Sequence, residues 1–329
     1  MIPKFLQRAV LVFAASAALA VPSFAQPAYP AGPIKLVVPF APGGATDTIS
    51  RIYAEHASKT LGRPVVVDNV TGAGGTIGSR QVMAAEPNGH TLLLGNLGTH
   101  VASLAIFANP GYDPKTDFKP VSLVANIPMF VAAKKALPVK NFQEFAAYLR
   151  ANPGKVNYGS AGVGSTAHMT CLYMEQLLGA KTEHVPYPGS GPALQALLGG
   201  HIDFVCDAAG AIVPQIQSGN VNGLVVTGRE RVPALPMVPT SEEAGLATFI
   251  VYGWTMIYAP KGTPDSIVER VAAALKAAGE DPAVRKKITD AGAEPPRPQD
   301  MGPRFATTLL SDSINLWVPL MKAGGVVPK

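Results

Sequence analysis

The chain has 329 residues, 47% of them hydrophobic, with 27 Lys and Arg against 22 Asp and Glu. That length exceeds what one hydrophobic core ordinarily holds, so two lobes are expected, and the even spread of apolar segments excludes a disordered chain. The small positive excess, with lysine doublets only at Lys134-Lys135 and Lys286-Lys287, neither interleaved with aromatic residues, excludes a nucleic-acid-binding face.

Lys4 and Arg8 open the chain, residues 11–21 are apolar and rich in alanine, and Ser23-Phe24-Ala25 has the small-x-small form of a cleavage site. This predicts a secretory signal peptide over residues 1–25. The apolar run is shorter than the roughly 20 residues that a membrane span needs. Cleavage removes two basic residues and no acidic one, leaving 25 against 22. An exported protein is expected.

A buried strand is predicted at 34–39 and a helix at 48–61, with Ile49, Ile52, Tyr53, Ala57 and Leu61 on one face. Gly62 and Pro64 supply its stop. Strand 65–69, helix 76–85 and strand 91–95 follow. This βαβαβ order predicts a parallel sheet covered by helices. Residues 121–133 form a long apolar stretch broken by Asn126 and Pro128, expected to cross between lobes. Helix 142–150, strand 156–158, helix 166–178, strand 182–185, helix 192–198, strand 202–206, helix 212–218 and strand 223–227 repeat the pattern. Residues 252–259 are expected to carry the chain back. Helices at 265–278, 281–291 and 305–322 complete it, and Pro319 should kink or end the last. The fold class is thus α/β. One lobe is predicted to comprise residues 26–126 and 253–329, the other 127–252. Two crossings between discontinuous lobes predict a hinged clamp.

Two glycine-rich loops follow predicted strands and precede predicted helices, where free backbone N–H groups make an anion site. The first contains Phe40, Ala41, Pro42, Gly43, Gly44 and, at its end, Asp47, which suits either a helix cap or a contact in the cleft. The second contains Ser160, Ala161, Gly164, Ser165 and Thr166, whose hydroxyls beside backbone N–H groups suit a carboxylate. His168 stands in the first turn of the next helix, as a packing residue or a ligand contact. Asp207, after strand 202–206, and Asn96 and Thr99, after strand 91–95, lie beyond strand ends, where open α/β sheets bind ligands. Tyr187 and Ser190 are further candidates. There is no G-x-S-x-G elbow, Walker A sequence or complete G-x-G-x-x-G, and no paired carboxylates or histidine cluster. No catalytic residue, cofactor or metal site is therefore expected. Cys171 and Cys206 suit a disulfide in an oxidising compartment, or two separate small buried residues.

The stretches 39–47 (PFAPGGATD), 157–165 (NYGSAGVGS), 185–187 with 189–193 (VPY, GSGPA) and 259–264 (APKGTP) resemble the Bug family, the TctC-type substrate-binding proteins of tripartite tricarboxylate transporters. The likeness runs through the chain after residue 25, in the family's order. It implies a type II periplasmic binding protein fold: two α/β lobes joined by two crossing strands, with a cleft for a small carboxylated ligand. It implies that Phe40 to Asp47 bind one carboxylate through backbone groups and water, that Ser160 to Thr166 serve the opposite lobe, and that Asp207 lines the cleft. It also implies a monomer that delivers its ligand to a large and a small membrane subunit. A receptor feeding a two-component sensor is the alternative, and an exported enzyme acting on a small acid a more distant one. Neither loop contains an arginine, so recognition by backbone and water leaves the particular acid open.

Overall fold

The structure is a computed structural model describing residues 29–40, 42–43 and 45–328. The predicted signal peptide at 1–25 lies outside the described residues, as do Ala41 and Gly44.

Strand β1 (Ile34–Val38), helix α1 (Ala45–Leu61), strand β2 (Val65–Asn69), helix α2 (Thr76–Met83) and strand β3 (Thr91–Asn96) follow in order. β1 pairs in parallel with β2 and with β3, as the alternation predicts. Helix α3 (Ser103–Ile106) leads to β4 (Phe118–Ala125). The chain then crosses to β5 (Met129–Lys134), α4 (Phe142–Ala151), β6 (Asn157–Ser160), α5 (Thr166–Leu178), β7 (Glu183–Pro186), α6 (Ser190–Leu198), β8 (Phe204–Ala208), α7 (Ala209–Gln217) and β9 (Val221–Val226). It returns into β10 (Thr255–Pro260) and ends with α8 (Asp265–Glu280), α9 (Pro282–Asp290) and α10 (Pro303–Ala323).

Among the described residues these strands form two five-stranded sheets, ordered β2-β1-β3-β10-β4 and β7-β6-β8-β5-β9. In each, the one strand that follows a crossing runs antiparallel to both of its neighbours. β10 pairs antiparallel with β3 and β4, and β5 with β8 and β9. The crossings lie side by side: Gly253 N–H donates to the Ile127 carbonyl at 2.9 Å, and Pro128 bridges Tyr252. Pro128 cannot donate to a ladder, which suits a break between two sheets.

Apolar side chains cover both faces of the sheets. Ile34, Ile49, Leu94, Val268 and Leu275 pack one face of the first sheet, and Phe130, Leu197, Ile212 and Val226 one face of the second. A third cluster is shared, running from Leu93 and Met256 to Val131 and Phe204 by way of Trp317 and Met321 of α10. The Trp317 ring stands edge-on to Tyr173 of α5 at 5.5 Å, and Trp254 Nε1–H donates to Ser313 Oγ at 3.0 Å. The last helix thus packs against both lobes.

Several bounds shift by two or three residues, as at α6, α7 and β8, and two departures have a clear physical reason. α1 starts at Ala45, not at 48, because first-turn N–H groups need no carbonyl partner and so admit the polar run Thr46-Asp47. α10 does not end at Pro319 but continues to Ala323. Proline costs a helix interior about 3 kcal/mol, which the burial of Trp317, Leu320 and Met321 around it offsets.

The two cysteines are joined. Cys171 of α5 and Cys206 of β8 form a disulfide with Cα atoms 5.7 Å apart. Both are fully buried, so the bond also lies within the core.

Candidate ligand-binding cleft

A cavity of about 240 Å³ lies against the crossings, between the strand ends of the two sheets. Its walls are helix beginnings. Thr46 is the second residue of α1, Ser165 caps α5, and Thr166 and Ala167 are that helix's first two residues. Ser190 opens α6 and Ala208 caps α7. Each helix start carries orphan N–H groups and about half a positive charge from the aligned peptide dipoles. Four of them therefore converge on one small space. Among the described residues no Lys, Arg or His lines it, and Asp207 is the one ionisable residue there.

Each glycine loop is held from beneath. In the first, the Asp47 carboxylate accepts from Gly43 N–H at 2.9 Å, Arg51 Nε at 2.9 Å and Asn69 Nδ2 at 3.0 Å. Asn69 Nδ2 also donates to the Phe40 carbonyl at 3.0 Å. Burial opposes the charge on Asp47, but the bonds from Arg51, Gly43 and Asn69 outweigh it and hold the pKa at about 2. In the second loop, His168 Nδ1 accepts from Gly164 N–H at 3.0 Å, and Ser165 Oγ accepts from His168 N–H at 3.2 Å. The Ser160 hydroxyl accepts from Gly162 N–H at 3.1 Å and meets His184 Nε2 at 2.6 Å. The two imidazoles stack, with centroids 4.0 Å apart and planes 10° from parallel. Burial, then the neighbouring His184, lowers the His168 pKa to about 3, and burial lowers that of His184 to about 4. Both rings are neutral at physiological pH.

Glycine is required at 164 for two reasons. Its φ is +77°, and a methyl group there would overlap the Ile106 side chain of the other lobe. Gly43, with φ +86°, has open space around it, so only its backbone conformation demands glycine.

Of the residues singled out from sequence, Asn96, Ala161, Ser165, Thr166, Ser190 and Asp207 line the cavity, and Tyr187 does not. Asn96 Oδ1 accepts from Thr99 N–H, and Thr99 Oγ1 accepts from Asn96 N–H, each at 3.0 Å. Thr99 is fully buried by that exchange. Phe40, Pro42, Gly43, Asp47, Ser160, Gly164 and His168 form or support the loops behind the lining. Asp207 Oδ1 accepts from Ser190 Oγ at 2.8 Å and Ala208 N–H at 2.7 Å, while burial pushes its pKa up. The sequence reading reached Thr46 only as part of the first loop, and it did not reach the crossing residues Ile127, Gly253, Trp254 and Thr255, which close the cavity. These look like ordinary core in the sequence. Their only signal is position, next to the two predicted crossings.

Two α/β sheets, crossed twice by the chain and meeting at a small cavity walled by helix starts, have the architecture of a periplasmic solute-binding protein. The family model for the tripartite tricarboxylate transporter family receptor, TctC, matches residues 49–326. The chain belongs to that family. It is 33% identical over 315 residues to the protein BugT of Bordetella pertussis, covering 95% of each chain. Among solved structures, MatC from Rhodopseudomonas palustris with bound malate is 41% identical, with a TM-score of 0.74 over 89% of this chain and 100% of that one. The R. palustris protein Rpa4515 with adipate is 32% identical, with a TM-score of 0.76 over 92% and 100%.

Proposed function

We propose that this protein captures a small organic carboxylate, such as a di- or tricarboxylate or an aromatic acid, by closing two lobes on it. One observation carries the reading: four helix N-termini converge on a cavity of about 240 Å³ that, among the described residues, no cationic side chain lines. A carboxylate is among the anionic groups that such an array of backbone donors fits, and the family's name and its two acid-bound members favour it over phosphate. The volume lies below the range of pockets that hold drug-sized ligands, which favours a small acid. Malate and adipate, held by the two similar R. palustris proteins, are of that class.

The lobes in this reading are residues 26–126 with 253–329, and 127–252, and the chain moves at Asn126–Pro128 and Tyr252–Gly253. The leader at 1–25 exports the protein to the periplasm, where it acts as a monomer. It delivers the acid to the large and small membrane subunits of a tripartite transporter, without a catalytic step. Family membership supports the delivery.

A thermal-shift screen against malate, succinate, adipate, citrate and benzoate tests the binding step. A ligand confined to the folded state stabilises it by about 4 kcal/mol at a thousand times its Kd. A rise in Tm with one of these acids supports the reading, and no rise with any of them counts against it. Loss of uptake of that acid on gene deletion tests the delivery step.

A further inference from the structure

We propose that His168 is the positioning residue of the second glycine loop: as a neutral acceptor it draws off Gly164 N–H and so aims the N–H groups of Thr166 and Ala167 at the bound acid. The inference rests on the carboxylate reading of the cleft.

The geometry comes from two sides. Gly164 N–H points at His168 Nδ1 across 3.0 Å, so Nδ1 carries no proton. The neutral ring then holds its proton on Nε2. The loop's other inward N–H, that of Gly162, is taken by Ser160, and Ser160 in turn rests on His184. Ser165 N–H donates to the Gly162 carbonyl at 3.1 Å. Three N–H groups of the loop are thus committed inside the protein. Thr166 and Ala167, which line the cavity, begin α5, and their N–H groups have no carbonyl one turn back. Withdrawing Gly164 fixes the entry of the chain into the helix, and with it the direction of these two donors.

His168 and His184 brace each other. They stack at 4.0 Å, and Tyr158 of β6 stacks on His184 at 4.9 Å. The titratable groups packed against His168 are therefore His184 of β7 and Tyr158 of β6. Glu175, further along α5, acts on Tyr158 and bonds Thr182. Protonating His168 would turn its Nδ1 from acceptor to donor, facing the Gly164 N–H. The loop would then lose its latch.

Nitrogen-15 NMR of the imidazoles in the full folded protein tests this without any ligand. We expect His168 to be the neutral Nε2–H tautomer from pH 7 to pH 5, with the Gly164 amide protected from exchange. An Nδ1–H tautomer, or a protonated ring at pH 6, would overturn the proposal. Two variants add the ligand. In His168→Asn the amide oxygen replaces Nδ1, whereas His168→Leu keeps apolar bulk and offers no acceptor. With malate, or the acid giving the largest shift in the screen, His168→Asn should bind within about threefold of the parent. His168→Leu should lose Gly164 protection and bind about tenfold more weakly. Equal affinity of the two folded variants would refute the proposal, and the tautomer decides it if His168→Leu fails to fold. If the parent protein binds none of the acids, the carboxylate reading fails, while the tautomer and the Gly164 protection still report on the latch.

Discussion

Asp47 and His168 occupy the same position in the two lobes. Each is the third residue of the helix that follows its glycine loop, and each accepts the backbone N–H of a glycine two residues before that helix begins. The distances are 2.9 Å from Gly43 to Asp47 and 3.0 Å from Gly164 to His168. Both glycines have left-handed φ, +86° and +77°. The pattern is a relative of the capping box, in which the third helical side chain reaches back to a backbone donor. One lobe uses an anion tied to Arg51 and Asn69, the other a neutral ring tied to a second histidine.

The difference predicts different responses to acid. His168 is neutral in the fold down to about pH 3 but titrates near 6.5 when unfolded. Between those values the unfolded chain binds one more proton there, so the folded state loses stability as pH falls below 6.5. His168→Asn lacks that proton. Its stability deficit relative to the parent should therefore shrink by up to about 1.4 kcal/mol per pH unit between pH 6 and pH 4. Urea melts of both proteins across this range measure it, and a constant gap would contradict the buried neutral ring.

Asp47 titrates lower. Its folded pKa, about 2, lies below the unfolded value near 3.9, so its contribution is present above pH 4 and lost as pH falls towards 2. Asp47→Ala frees Gly43 N–H and leaves Arg51 only its bond to Asn69. We expect a loss of about 1–2 kcal/mol in stability at pH 7, read by denaturant unfolding, together with weaker binding of the acid found in the screen. Unchanged affinity in the folded variant would separate Asp47 from the site.

The disulfide joins two walls of the cleft. Cys171 follows His168 by three residues on α5, and Cys206 immediately precedes Asp207 on β8. Cross-linking residues 35 apart in sequence constrains the unfolded chain by about 3–4 kcal/mol in the loop-entropy model. The double variant Cys171→Ala, Cys206→Ala should fall in stability by an amount of that order. A melting point equal to the parent's would show that the bond is not formed in the native protein.

Beside the crossings, Glu294 sits next to the Tyr252 hydroxyl, which accepts from Arg229 N–H at 2.7 Å. Burial, with help from Glu230 and against the Tyr252 bond, lifts the Glu294 pKa to about 7. The folded state holds this proton from about pH 4.5 to 7 while the unfolded state does not. Stability therefore falls as pH rises through that window. Glu294→Gln should be more stable than the parent at pH 8, by about 1–3 kcal/mol, and the gain should fade by pH 5. Thermal melts at the two pH values decide it.

Much of this was legible in the sequence, for identifiable reasons. Glycine pairs between an apolar strand and a polar helix start mark both loops, and Asn126 and Pro128 interrupt an apolar run where the chain changes sheets. What could not be read was which N–H groups the loops keep for a ligand. Gly43, Gly162 and Gly164 spend theirs internally, on Asp47, Ser160 and His168 in turn, and the first and last of these depend on Asp47 and His168 falling in the first turn of their helices rather than at the caps. The cysteine pair was equally closed to sequence, because a spacing of 35 residues says nothing about the packing of α5 on β8. Thr255 and Trp254 read as core because they are core: both are buried, and they face the cavity only where the two crossings meet.

The most direct measurement is a calorimetric titration with malate and with its uncharged diamide, repeated for any other acid that raises Tm in the screen. Carboxylate recognition by helix N-termini predicts one-to-one binding of at least one acid, with its diamide bound at least a hundredfold more weakly. Equal binding of acid and diamide, or no binding by any acid of the panel, would contradict the carboxylate site.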